Sequence, residues 1–190
     1  MLKAIFLRWG VNIGLNVKKI VNGPFLQNAY VIWNSSVSFI IDPGGDANRI
    51  IECITSNDLS PSAILNTHAH LDHIGAVSEL KSYGNYPFYL HINDIDLLNS
   101  ANQYTSMFGM PKIDIPTVEY KWESDNHIDF QDTQVRILET PGHTVGGVSI
   151  LIENHLFTGD TLFKGSIGRT DLPGGNMNTL LNSINSKIFY

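Results

Sequence analysis

The chain has 190 residues, of which 43% are hydrophobic and 16% are charged, and this composition is typical of one globular domain rather than of a disordered or fibrous chain. The formal net charge is −6 and the sequence holds no basic run, which excludes nucleic acid as an expected partner because phosphate binding needs clustered lysine and arginine. Cys53 is the one cysteine, so an intrachain disulfide is excluded, and a cytoplasmic protein with a buried thiol is expected.

Residues 1–15 are predicted to be a poorly defined N-terminal extension, and residues 16–190 a single domain. The first ten residues superficially resemble a signal peptide, but Arg8 interrupts their apolar run and no small-residue cleavage site follows. No stretch approaches the roughly 18 consecutive apolar residues of a membrane span. A membrane is therefore not an expected partner.

The first half of the domain contains β-type segments that alternate with helical patterns. Runs rich in Val, Ile, Tyr and Trp predict strands at 16–21, 29–33 and 37–41, each bounded by turn residues. Asp46 is expected to cap a helix at its N-terminus, because apolar residues recur at helical spacing from Ala47 to Ile54.

The rest of the chain continues this mixture. Strands are predicted at 63–65, 88–90, 135–138, 148–152 and 156–158, and helices around 74–80, 95–101 and 180–188. The segment 109–116, with its glycine and prolines, is expected to form an irregular loop over the active site. Together these elements predict an α+β fold in which helices cover two sheets.

Three histidines and an aspartate fall within six positions, where a predicted strand meets a predicted helix: His68, His70, Asp72 and His73. A metal ion needs several donor atoms within about 2.0–2.2 Å, and a bent strand end can supply them. His68 and His70 are placed to share one ion, whereas Asp72 and His73 point differently and suit a second. Helix capping explains Asp72 alone, but it does not explain three histidines.

Two later segments complete the candidate site. His143 follows Pro-Gly after a predicted strand, and Asp160 follows Gly159 after another. Each alone is typical of a turn residue. Their order and separation relative to the first cluster predict that both belong to the same metal site.

The succession of His-x-His-x-Asp-His, Pro-Gly-His and Gly-Asp resembles the ligand set of the metallo-β-lactamase superfamily, from about Val17 to Ile188. The phrase Asp-Pro-Gly-Gly at 42–45 and the Gly-Arg-Thr-Asp region at 165–175 are similar to the short glyoxalase II-like (hydroxyacylglutathione hydrolase) group. The resemblance implies an αββα sandwich with two divalent metal ions. Zinc is the expected metal, and iron and manganese are the alternatives. It implies this ligand set: His68, His70 and His143 on the first ion, Asp72 and His73 on the second, and Asp160 between them.

The resemblance also implies hydrolysis of a small-molecule thioester, such as an acylglutathione, by a metal-bound hydroxide. Asp72 would act as the catalytic residue that orients this hydroxide or receives its proton. Arg169 is expected to bind a substrate carboxylate through its planar guanidinium, with Lys164 as a weaker candidate. A structural salt bridge is the alternative role for Arg169.

One expected element of the family is missing from the sequence. The family ordinarily provides a further histidine in a Gly-His-Gly-like phrase after the last predicted helix, and no such phrase precedes Tyr190. We therefore expect a chain that lacks a C-terminal strand and helix and has a weak second metal site. Two alternatives stay open: a persulfide dioxygenase with one iron on His68, His143 and Asp160, and a truncated, non-catalytic metal-binding chain.

Overall fold

Two β-sheets pack face to face, and helices cover both outer surfaces, in the computed structural model, which describes residues 6–8 and 14–189. This architecture is the αββα sandwich that the sequence predicts, and that prediction is confirmed. Within the ranges just given, no helix is long and apolar enough to cross a membrane.

The strands, numbered along the chain, form two main sheets and one small hairpin. The first sheet contains, in spatial order, β2 (Asn16–Asn22), β3 (Gln27–Trp33), β4 (Ser38–Ile41), β5 (Ala63–Leu65), β6 (Phe88–His91) and β7 (Tyr120–Trp122). The antiparallel second sheet contains β1 (Phe6–Arg8), β11 (His155–Phe157), β10 (Val148–Ile152), β9 (Thr133–Glu139) and β8 (Asn126–Phe130). The hairpin pairs β12 (Leu162–Phe163) with β13 (Ser166–Ile167).

The helices divide between the two outer faces. They are α1 (Ala47–Ser56), α2 (Leu71–Ile74), α3 (Val77–Gly84), α4 (Ile95–Asn99), α5 (Ala101–Met107) and α6 (Met177–Ser183), with a 3-10 turn at Ile92–Asp94 and a π-helical turn at Ile184–Ile188. Buried residues of α1, α3, α4 and α5 pack against the first sheet. Those of α6 and the π-helical turn pack against the second.

The alternation of side chains along single strands explains the layers. In β3, Tyr30 and Ile32 face the core between the sheets, whereas Ala29 and Val31 face the helical layer. β4, β5 and β6 are buried throughout, because their sheet is covered on both sides, and they therefore appear in the sequence as continuous apolar runs.

Several local features differ from the sequence-based expectation. Asp46 does not cap α1 with its side chain: it adopts a left-handed conformation (φ 49°), and its carboxylate instead accepts a hydrogen bond from the Gly23 amide at 3.1 Å. The loop that contains Asp114 lies against α3, where Ser78 and Lys81 donate hydrogen bonds to its carbonyls, rather than over the active site. Most of the expected extension at 1–15 lies outside the described residues; within it, β1 pairs with β11.

Candidate metal centre

The site residues lie on loops that follow one strand of the first sheet and two strands of the second. The loop after β5 carries His68 and His70 and leads into α2, which carries Asp72 and His73. The loop after β9 carries His143, and the turn after β11 carries Asp160. The fold thus brings all six sequence-predicted metal-site residues together.

The first group of donor atoms is formed by His68, His70 and His143, whose candidate ligand atoms lie within 4.8 Å of one another. Nδ1 of His70 is 2.9 Å from Nε2 of His143. The ring of His68 stands nearly perpendicular to both of the others, at centroid distances of 4.9 Å. Three imidazoles therefore converge on one point.

The second group consists of His68, His73 and Asp160, again within 4.8 Å. Nε2 of His73 is 3.3 Å from Asp160 and 3.9 Å from Asp72. The other carboxylate oxygen of Asp160 is 3.5 Å from Nε2 of His143, so Asp160 lies between the two groups. Asp72 lies beside the second group.

One imidazole of the site has a nitrogen that no hydrogen bond satisfies. Nε2 of His68 is buried without a hydrogen-bond partner, whereas the buried Nε2 of His73 contacts the Asp160 carboxylate. Such atoms cost about 1–3 kcal/mol each unless something else satisfies them. Imidazole nitrogens with carboxylate oxygens suit zinc, iron or manganese, and the residues therefore fit divalent metal ions.

The protonation of these histidines is set by burial and by their neighbours. Burial and the nearby imidazoles lower the pKa of His68 well below its usual value and that of His70 to about 3. Burial also disfavours a charge on His73, but Asp42, Asp160 and Asp72 raise its pKa well above the usual range. His68 and His70 thus present neutral nitrogens, the form that binds metal.

Asp160 and Asp72 differ in their electrostatic environment. Burial raises the pKa of Asp160, but the adjacent His73 and His143 outweigh it, so the pKa falls below its usual value. For Asp72, burial dominates and raises the pKa. The ionised form is therefore favoured more strongly for Asp160, between the donor groups, than for Asp72.

Asp42 is a supporting residue that the sequence analysis missed. Its buried carboxylate accepts hydrogen bonds from the amide and the hydroxyl of Thr67, both at 2.7 Å, and contacts Nδ1 of His73 at 3.1 Å. It therefore orients His73 so that Nε2 faces the site. In the sequence this acid follows the buried strand β4 and belongs to the Asp-Pro-Gly-Gly phrase, which was used for the family resemblance and not to predict a contact with the site.

Asp94 is a second such residue, and it joins two ligand loops. Its buried carboxylate accepts hydrogen bonds from the Ala69 amide (3.0 Å), the Thr144 hydroxyl (3.0 Å) and the Gly146 amide (2.7 Å). The first donor neighbours His68 and His70, and the other two follow His143. No local motif marks Asp94, because its three partners are remote in the chain.

The Gly-Arg-Thr-Asp region contributes backbone more clearly than side chains. The Arg169 carbonyl accepts a hydrogen bond from Nδ1 of His143 at 2.7 Å, which leaves Nε2 of His143 free to face the site. The exposed Arg169 guanidinium forms two 2.7 Å hydrogen bonds with Asp171. This is the salt bridge considered as its alternative role, although Arg169 also lines a cavity beside the metal centre.

Lys164 is exposed in the β12–β13 turn and lines neither cavity next to the site.

A cavity of about 430 Å³ opens above the metal centre. Its floor is polar, and its walls are mostly apolar. It is lined by Phe25, His70, Leu71, Asp72, Gln103, Tyr104, Met107, Phe108, His143, Asp160, Arg169, Leu172 and Pro173. A substrate in this space would contact both donor groups.

Comparison with known proteins identifies relatives of this fold and site. The model of the metallo-beta-lactamase superfamily matches residues 22–188. The chain is 39% identical over 169 residues to the probable metallo-hydrolase YqgX of Bacillus subtilis, covering 87% of this chain and 80% of that protein. It is 36% identical over 179 residues to the hydroxyacylglutathione hydrolase GloC of Haemophilus influenzae, covering 92% and 84% respectively.

A solved structure agrees with these sequence relatives. The BLEG-1 B3 metallo-beta-lactamase superimposes with a TM-score of 0.84 at 38% identity, over 91% of this chain and 85% of that one. Both the sequence and the fold of this lactamase are thus similar to those of the present chain over most of its length.

Proposed function

The chain belongs to the metallo-beta-lactamase superfamily of metallo-hydrolases, and from that premise we propose that it cleaves thioesters, such as acylglutathiones, with two divalent metal ions. The observation that carries the proposal is the pair of donor groups that share His68 and meet at Asp160 beneath an open cavity. Zinc is the proposed metal, with the ligand set expected from the sequence. The 36% identity to a hydroxyacylglutathione hydrolase supports the thioester class.

Each side chain has a definite task in this proposal. Metal ions held by the six residues would lower the pKa of water towards 7 and polarise a carbonyl oxygen. Asp72 lines both cavities beside the site, so it is placed to orient the attacking water and receive its proton. The Asp42 carboxylate and the Arg169 carbonyl hold His73 and His143 in orientation. Arg169 would bind a substrate carboxylate if that carboxylate replaced Asp171 as its hydrogen-bond partner.

The structural comparison favours one rival activity, hydrolysis of a β-lactam, because the 38% identical structure is a metallo-beta-lactamase. Both reactions add water to a carbonyl, so the metal site alone does not separate them. A persulfide dioxygenase would need only one ion on His68, His143 and Asp160. The second donor group, which includes His73, supports a two-metal hydrolase instead.

The test is to load the full chain with zinc, measure metal per chain by plasma mass spectrometry, and follow thiol release from acylglutathiones. We expect more than one ion per chain, with the second bound more weakly, and turnover that falls by about 100-fold or more in Asp72→Ala. The exposed Asp114→Ala, remote from the site, serves as the matched control and should retain activity.

Two parallel assays make the result decisive. Hydrolysis of a chromogenic cephalosporin without thioester cleavage would assign the β-lactamase activity instead. One bound iron with oxygen uptake on glutathione persulfide would assign the dioxygenase.

A further inference from the structure

The cavity above the metal centre has an apolar wall assembled from three separate segments. Phe25 comes from the β2–β3 turn, Met107 and Phe108 from the end of α5, and Leu172 with Pro173 from the segment before α6. The charged groups are confined to the metal-site floor and to the Arg169 edge, and Gln103 and Tyr104 of α5 are the uncharged polar residues of the lining. A substrate whose reacting carbonyl lies on the floor must therefore direct another part of itself along an apolar surface.

The wall exposes large apolar side chains to solvent. Met107 is 75% exposed, Phe108 53% and Phe25 45%. The rings of Phe25 and Phe108 meet edge to face with centroids 5.6 Å apart, which joins the β2–β3 turn to α5 across the cavity mouth. A contiguous exposed apolar surface around a polar site is typical of a ligand-binding region.

Away from its floor, the cavity offers few charged partners to an anionic acyl group. Asp72 and Asp160 belong to the metal site in the proposed function, and Arg169 is the one cation among the residues that line this cavity. Arg169 is already paired with Asp171 through two hydrogen bonds. An apolar chain, in contrast, gains about fourfold in binding for each methylene that it buries.

We infer that this cavity binds the acyl half of the substrate and selects extended apolar acyl groups over small hydroxyacyl groups. The inference rests on the proposed thioester hydrolase function and specifies its substrate class. Phe25, Met107 and Phe108 are then specificity-determining residues. The thiol half of the thioester extends away from this wall.

The first test compares kcat/KM of the zinc-loaded chain for S-hexanoylglutathione and S-lactoylglutathione. We expect the hexanoyl thioester to be favoured by about tenfold or more. Phe108→Ala should reduce that ratio to below about threefold, and Phe108→Leu should keep most of it. Tyr83, also an exposed aromatic at 50% but on α3, provides the control: Tyr83→Ala should leave the ratio unchanged.

The second test measures binding without turnover, by titration calorimetry with the thioethers S-hexylglutathione and S-methylglutathione. We expect the hexyl compound to bind about tenfold or more tightly, and Phe108→Ala to abolish the difference. Equal or better cleavage of the lactoyl thioester would overturn the selectivity and leave the hydrolase function intact. No cleavage of either thioester by a fully loaded chain would refute the hydrolase function, whereas preferential hexyl binding would still support the apolar site.

Discussion

Single buried carboxylates hold this site together, and they are less conspicuous in the sequence than the histidines. Four of the six candidate ligands could be selected from the sequence because His-x-His-x-Asp-His has no common structural explanation, and His143 and Asp160 followed from their order and separation relative to that motif. Asp42 and Asp94 could not, because a lone acid carries no such pattern and its partners are distant along the chain. Arg169 was selected for its charge, yet its carbonyl makes the contact with His143.

Replacing Asp94 tests its positioning role. In the unmodified chain, both oxygens of the Asp94 carboxylate accept hydrogen bonds. In Asp94→Asn an NH₂ group replaces one of these oxygens, so at least one buried donor loses its acceptor. We expect a loss of about 1–3 kcal/mol in the free energy of unfolding and about tenfold weaker metal binding. Urea unfolding and competition with a chelating dye measure the two effects.

The exposed Asp96, on the adjacent helix α4, supplies the control variant, Asp96→Asn. An Asp94→Asn variant with the same free energy of unfolding and the same affinity for zinc as the control would show that the bridge between the two ligand loops has no energetic importance.

At the level of elements, long apolar or periodic segments were predicted well and short polar ones were not. The buried strands β4, β5, β6 and β10 and the helix α1 follow their sequence patterns. β7 and β8 were missed because they lie at sheet edges and are largely exposed, so nothing enforces an apolar pattern. The β12–β13 hairpin was missed because its strands have two residues each, which is too short for an alternating pattern to show.

The backbone directly after the β12–β13 hairpin packs closely against two metal-site segments at Gly168. A Cβ at Gly168 would lie 1.8 Å from the Asp160 carbonyl oxygen and 3.2 Å from Nδ1 of His143. Gly168→Ala must therefore displace one or both metal-site segments. We expect a stability loss of about 1–3 kcal/mol by urea unfolding, together with reduced metal content by mass spectrometry.

Ser166→Ala, in the same hairpin and away from that contact, should behave like the unmodified chain. Full metal content in purified Gly168→Ala would contradict the proposed packing requirement.

For the whole molecule, the donor groups join loops from both sheets, so bound metal should cross-link the sandwich. At a free metal concentration of about 100 times Kd, binding adds about 2.7 kcal/mol to the stability of the folded state. For a chain of this size, we expect chelation to lower the Tm by about 5–10 °C. Scanning calorimetry before and after dialysis against a chelator, with zinc restored at the end, measures the change.

An unchanged Tm in a chain shown to have lost its metal would contradict this expectation. A decrease that zinc does not reverse would indicate damage by the treatment rather than loss of the cross-link.

The distribution of the donors along the chain also determines when the protein can acquire metal. His68, His70 and His73 leave the ribosome well before His143 and Asp160, which come from the second sheet. A nascent chain therefore exposes three histidines with no complete donor group to receive an ion. Since domains fold as units during synthesis, loading of the complete site is a late event that must wait until the second sheet has been made.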